Sequence, residues 1–247
     1  MIRSLRKSLA ILFVVAIGAV VQGPTAEATV LQFEMTPYPG DTIVAYEGPF
    51  ASYGDGVTAL NMPGPGGRTY HFGMGNGFTP DITVDYTSSP EPDSDHSAFG
   101  AQSGWSDPVD YLRYVDGSTY WFTFTPSGAA GVDINSFAID LYEGVGQIDW
   151  NLRQDTTTGT IFASGTETGL TKAGPDRIVN IANGAYYGTT ILEVTISGTN
   201  TGGNIGLDDL NFDQLAVPAP EPTTGLLLAF GGLGLMAMRK RKRAARS

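Results

Sequence analysis

Apolar and polar residues alternate with a period of two through most of residues 29–215, and a helical period is nearly missing there. Tyr120, Phe122 and Phe124 share one face of a strand, with Trp121 and Thr123 on the other. Phe137, Ile139 and Leu141 do the same, and Leu192, Val194 and Ile196 oppose Ile191, Glu193 and Thr195. These runs are rich in β-branched and aromatic residues and are punctuated by Gly, Pro, Asn and Asp. The pattern predicts strands over Thr29–Met35, Thr42–Tyr46, Arg68–Phe72, Asp81–Tyr86, Tyr111–Val115 and Thr119–Thr125. It continues with Ile134–Tyr142, Ile148–Arg153, Thr160–Ser164, Asp176–Ile181, Thr190–Ser197 and Ile205–Leu215. About a dozen short strands without helices point to an all-β fold, an antiparallel β-sandwich of jelly-roll type, with a barrel as the alternative.

Three local features refine that picture. Asp116-Gly117 between two strand-like runs has the chemistry of a two-residue hairpin turn. Asn61–Gly67 and the stretch from Thr87 to Asp110 are loops, the second too long for a simple turn. In Ile205-Gly206-Leu207-Asp208-Asp209-Leu210-Asn211-Phe212 the apolar phase flips after Leu207, so one strand can keep both sets inward only by inserting an extra residue. A β-bulge is therefore expected at Asp208-Asp209.

The two ends read differently. Arg3, Arg6 and Lys7 precede an apolar run from Leu9 to Val21, and Ala26-Glu27-Ala28 supplies small residues for a signal-peptidase cut before Thr29. Residues 1–28 are thus expected to be a signal peptide and 29–215 the sandwich domain. Residues 216–224 form a proline-rich linker, and 225–247 a short transmembrane helix with a basic tail. Fourteen residues from Gly225 to Met238 rise roughly 21 Å as a helix, short of the ~30 Å hydrocarbon core. Snorkelling basic side chains help it span, and the cations behind it hold the C-terminus in the cytoplasm.

Pro220-Glu221-Pro222, a glycine-punctuated apolar span, and Arg239-Lys240-Arg241-Lys242-Arg243 follow one another in that order. This arrangement resembles the PEP-CTERM sorting signal of Gram-negative bacteria. The resemblance covers about the last thirty residues. It implies recognition by an exosortase-type transpeptidase, transient anchoring in the inner membrane, cleavage near the tripeptide, and passage to the cell surface or extracellular matrix. The alternative is a permanent C-terminal anchor.

Charge separates the parts further. Of the fourteen Lys and Arg residues, only Arg68, Arg113, Arg153, Lys172 and Arg177 lie in the exported body, whereas of twenty-five acidic residues only Glu27 and Glu221 lie outside it. So acidic a body repels phosphate backbones, which argues against nucleic-acid binding and leaves neutral glycans and divalent cations as compatible partners. The chain has no cysteine, which excludes disulfides, thiol chemistry and cysteine-based zinc sites.

Candidate chemistry is sparse. The Asp208-Asp209 segment resembles the closing strand of secreted jelly-roll modules, and that resemblance implies a carboxylate on a structural Ca²⁺ there. Asp41, Glu47 and Asp55 are the candidate partners, because such folds pair their first and last strands; the alternative is that the two aspartates only shape the bulge. Trp105, Tyr186 and Tyr187 are candidate stacking surfaces for sugars, while Trp121 and Trp150 are expected to pack. Asp93-Ser94-Asp95 lacks the Gly and Glu of a calcium loop and reads as a solvated acidic loop. No nucleophile-elbow, zinc-helix or phosphate-loop pattern is present, and His71 and His96 are the only histidines. The expected function is a non-enzymatic surface or matrix protein associating with extracellular polysaccharide. The alternatives are a polysaccharide hydrolase or lyase on the same sandwich, and a ligand-free envelope component.

Overall fold

Alternation becomes architecture in β6, where Tyr120, Phe122 and Phe124 are at most 1% exposed while Trp121 and Thr123 stay half-exposed. The structure is a computed structural model that describes residues 27–36, 52–75, 77–89, 112–115, 119–128, 130–141, 145–171, 177–197 and 204–216. The strands are β1 (Glu27–Thr36), β2 (Asn61–Pro63), β3 (Thr69–Met74), β4 (Ile82–Ser89), β5 (Leu112–Val115), β6 (Thr119–Pro126) and β7 (Gly131–Leu141). They continue with β8 (Val145–Gln154), β9 (Ile161–Thr171), β10 (Arg177–Asn180), β11 (Ala185–Tyr186), β12 (Thr190–Ser197) and β13 (Asn204–Leu215). Every described pairing is antiparallel. One sheet runs β10-β7-β13-β1-β3-β2, with β11 added on β7 and β5 on β13; the other runs β4-β6-β12-β8-β9.

The inward faces of both sheets meet in one core, which is the defining feature of a β-sandwich. Phe33, Tyr53, Tyr70, Phe72, Tyr86 and Phe122 form its aromatic half, with Phe33–Tyr53 rings 5.8 Å apart and Tyr53–Phe72 rings 4.9 Å apart. Tyr53 is fully buried, and its hydroxyl donates to the His71 carbonyl at 2.7 Å and accepts the Glu34 N–H at 3.3 Å. Each such ring contributes about 1.5–3 kcal/mol by leaving water. Trp150 fills the other half, edge-on to Phe137, and lies so close to Gly165 that a Cβ there would meet its ring at 2.6 Å.

The expected bulge is present. The β13–β7 register shifts between Asp208 and Asn211, and Asp209 sits at φ 44. The extra residue lets Leu207, Leu210 and Phe212 all point inward, none more than 1% exposed. A second irregularity in β1 shifts its register on β3 between Leu31 and Glu34, with Phe33 at φ 51, while Leu31 and Phe33, two residues apart, both stay fully buried.

Two expectations are corrected. No hairpin joins β5 to β6: β5 pairs with β13 in one sheet, while β6 lies between β4 and β12 in the other. Both edges of β6 are already occupied, by β4 and β12, and Asp116-Gly117 lie outside the described residues. The stretch read as a loop at Asn61–Gly67 contains β2, whose Asn61–Pro63 pair with Thr69–His71, and a short 3-10 turn at Pro65–Gly67. Glu27 and Ala28 belong to β1, paired with Gln214 and Asp213, so the expected cut before Thr29 would trim the first two residues of that strand. The strand expected at Thr42–Tyr46, the linker beyond Ala216 and the C-terminal helix lie outside the described residues.

Candidate functional site

The outer face of the eight-stranded sheet carries an open groove. In β7, Val132, Ile134, Phe137 and Ile139 are buried, which turns Asp133, Asn135, Ser136 and Ala138 toward the other side. The bulges in β1 and β13 bend their strands there, and a groove of about 360 Å³ opens across the sheet. Val30 and Gln32 of β1, Gly73 of β3, Asp209 and Asn211 of β13 and Ile178 of β10 line it. A Cβ on Gly73 would meet that of Val30 at 2.9 Å, so glycine keeps this wall low. Asn135 Nδ2 donates to Asn211 Oδ1 at 3.3 Å, which orients that amide beside the groove. Ile178, 62% exposed, is an apolar edge beside these polar groups.

The same face continues along β7. Asp133 stands directly opposite Asp213 of β13. Burial first, and the Asp213 charge second, push the Asp133 carboxyl above the usual carboxylate range. Asp213 Oδ1 is buried and has no hydrogen-bond partner among the described residues. One step further is Gly131, where a Cβ would lie 3.0 Å from Tyr187 Cδ1; its absence lets that ring lie against the strand. Tyr187 is 55% exposed. Tyr186, paired with Val132, turns the opposite way, stacks on Phe162 at 5.6 Å and donates its hydroxyl to Asp155 Oδ2 at 3.0 Å. That bond, before burial, raises the phenol's pKa. The two tyrosines thus divide the work, one anchoring the segment across the edge of the sandwich and the other presenting its ring.

No family model matches the chain. No curated protein matches it either. Among solved structures it is similar to a family 30 carbohydrate-binding module, at 14% identity over 56% of this chain and 85% of that one, TM-score 0.34. A xylan-binding module matches at 14% identity over 54% of this chain and 92% of that one, TM-score 0.31. A family two carbohydrate esterase from Cellvibrio japonicus matches at 14% identity over 56% of this chain and 36% of that one, TM-score 0.28. The sandwich architecture rests on the strand pairing described above.

The outer face of the five-stranded sheet is also polar, but its groups bind one another. Glu193 of β12 is 8% exposed, and its two oxygens accept four bonds. Arg153 Nε and one terminal nitrogen reach them at 3.0 and 2.9 Å, Trp121 Nε1 at 2.9 Å and Asn151 Nδ2 at 2.6 Å. Burial alone would raise the Glu193 pKa, but these donors outweigh it and hold the carboxyl below its usual range. A carboxylate so saturated cannot serve as a general acid or base. Thr166 Oγ1 donates to Asp149 at 2.6 Å on the same face.

Tyr186 and Tyr187 are brought to the β11 edge as described, and Asp209 lines the groove. Asp208 accepts the Asp209 N–H at 2.6 Å within the bulge. Asp55 accepts the Val84 N–H at 2.7 Å, and burial raises its pKa. Among the described residues no group of three or more His, Asp and Glu side chains comes together as a metal site. Asp41, Glu47, Trp105, His96, the Asp93–Asp95 stretch and the residues of the expected sorting signal, Pro220–Pro222 and Arg239–Arg243, lie outside the described residues. His71 is held between Thr36 Oγ1 at 2.7 Å and Asn61 Oδ1 at 2.6 Å. Trp150 packs as expected; Trp121 instead lies on the outer face, because it alternates with the three inward aromatics of β6. Gln32, Ser136 and Asn211 were not singled out by the sequence. Their only signal is polar character opposite an apolar phase, and they meet only once β1, β13 and β7 are neighbours.

Proposed function

We propose that this chain is an exported, non-enzymatic surface or matrix protein whose sandwich, of jelly-roll type, associates with extracellular polysaccharide. The groove on the outer face of the eight-stranded sheet carries this reading. It is open and about 360 Å³ in volume, and it mixes apolar walls (Val30, Ile178) with amide and hydroxyl groups (Gln32, Asn211, Ser136). Sugars bind such surfaces because their C–H faces leave water on the apolar side while their hydroxyls find donors and acceptors on the other. The pairing of first and last strands, β1 with β13, supports the jelly-roll form.

The C-terminal resemblance supplies the route. An exosortase-type transpeptidase would act near Pro220-Glu221-Pro222 while the apolar span holds the chain in the inner membrane. Mass spectrometry of the mature protein tests this part, with ends expected at Thr29 and near the tripeptide; a chain still carrying Arg239 to Arg246 is a permanently anchored one.

Pull-down with neutral polysaccharides and with the producing cell's own exopolysaccharide tests the binding. The wild-type chain is expected in the bound fraction and Ser136→Trp, which fills the groove, in the unbound one. No retention by any polysaccharide would leave only the sorting proposal. Release of reducing sugar during the assay would replace binding by hydrolysis.

A further inference from the structure

We propose that the outer face of the eight-stranded sheet holds an extended chain of a neutral polysaccharide across two subsites, the groove beside Ile178 and Asn211 and the ring of Tyr187. This rests on the proposed polysaccharide association and adds the length and charge of the ligand. The register places the two ends. Ile178 pairs with Ala138 and Tyr186 with Val132, so the ends lie six β7 residues apart, about 20 Å at ~3.3 Å per residue. Both are on one face. Ile178 lines the groove, and Tyr187 rests where the side chain of Gly131 would be, one residue from inward-facing Val132.

Between the ends the surface is polar and continuous along paired strands: Asp133 opposite Asp213, then Asn135 bonded to Asn211, then Ser136. Hydrogen-bonding groups in a row between two apolar contacts suit a chain that stacks at intervals and bonds in between. A single sugar in the groove would leave Tyr187 unused. The charge of the row sets the ligand class. Asp133, Asp213 and Asp209 lie along it, and Arg177, beside Ile178, is held by Glu167 at 2.8 Å. A uronate polymer would meet carboxylates with no uncommitted cation among the described residues of this row to offset them, which leaves uncharged sugars.

Calorimetry on the full chain in mild detergent tests this, with neutral cello- and xylo-oligosaccharides of increasing length, their parent polymers, and polygalacturonate. Affinity is expected to rise by about tenfold or more with length until both subsites are bridged, then to level off. Tyr187→Ala should return long oligomers to the affinity of short ones and leave the short ones unchanged. Tyr187→Phe should keep the rise, since the ring is the contact, and it also controls for misfolding. Asn211→Ala should weaken every length. Affinity independent of length, or a Tyr187→Ala loss equal at all lengths, overturns the two-subsite arrangement while leaving polysaccharide association standing. Polygalacturonate binding as tight as the neutral polymers at low salt overturns the charge argument. No binding of any probe overturns both this inference and the association beneath it.

Discussion

The two outer faces of this sandwich are built from the same kind of strand and treat their polar residues in opposite ways. On the five-stranded sheet, Trp121, Asn151 and Arg153 converge on Glu193 until its acceptors are filled. On the eight-stranded sheet, Asp133 faces Asp213, one of whose oxygens is buried without a hydrogen bond, and a groove opens beside them. Satisfied networks rigidify a fold, whereas unsatisfied groups cost stability and persist where something else requires them. That difference is why the ligand proposal is placed on the second face and not on the first.

Substitutions that remove one partner separate the faces most sharply. Glu193→Ala leaves the Arg153 guanidinium without its carboxylate, and we expect a loss of about 2–3 kcal/mol in urea unfolding. Equal stability would mean the network is ornamental. Trp121→Ala removes one donor and its packing and should cost about 1–2 kcal/mol with no change in glycan affinity, while Tyr187→Ala should do the reverse, costing under ~0.5 kcal/mol. If both variants moved stability and neither moved binding, the contrast between the faces would fail. Asp213→Asn should be neutral or stabilising by up to ~1 kcal/mol at neutral pH, because Asp133 is raised first by burial and then by the Asp213 charge, and the substitution removes the second cause.

The faces should also respond oppositely to acid. The folded-state pKa of Glu193 is lowered, so its contribution is present above the unfolded value and is lost as pH falls through the folded one. That of Asp133 is raised, so its contribution is full below the unfolded value and is lost as pH rises through the folded one. Stability measured across the carboxylate range should therefore flatten in opposite directions in Glu193→Gln and Asp133→Asn. The smallest effect expected is that of chelation. Asp55 and Asp208 already accept backbone N–H bonds and no metal cluster forms among the described residues. EDTA is expected to leave the thermal midpoint unchanged if these bonds alone hold the aspartates, and a clear drop would support the calcium expectation at Asp208 and Asp209, whose candidate partners Asp41 and Glu47 lie outside the described residues.

Much of this was readable from order alone, for identifiable reasons. The phase flip from Leu207 to Leu210 announced the bulge, because period-2 alternation admits only one repair. Tyr187, beside Gly188, is the exposed ring the sequence suggested, whereas Tyr186 pairs with Val132 and is covered by Phe162. The β5–β6 turn was misread because Asp-Gly reports the local backbone and not which sheet has a free edge. Trp121, expected to pack, is held on the outer face by Glu193 because it alternates with the inward aromatics of β6. Gln32 and Asn211 carried no signal, being separated by most of the chain and meeting only across β1 and β13.

The sequence by itself determined the all-β character, the acidity and cysteine-free chemistry of residues 29–215, and the linear order of the Pro-Glu-Pro, apolar and basic segments on which the sorting proposal rests. These follow from period, composition and linear order, which need no contact between distant residues. Tertiary structure alone decided which polar residues share a face, that Glu193 is saturated while Asp213 keeps a buried oxygen without a partner among the described residues, and that a groove opens beside Ile178 and Asn211. Those depend on strand register, and register is fixed by how two hydrophobic faces close on each other.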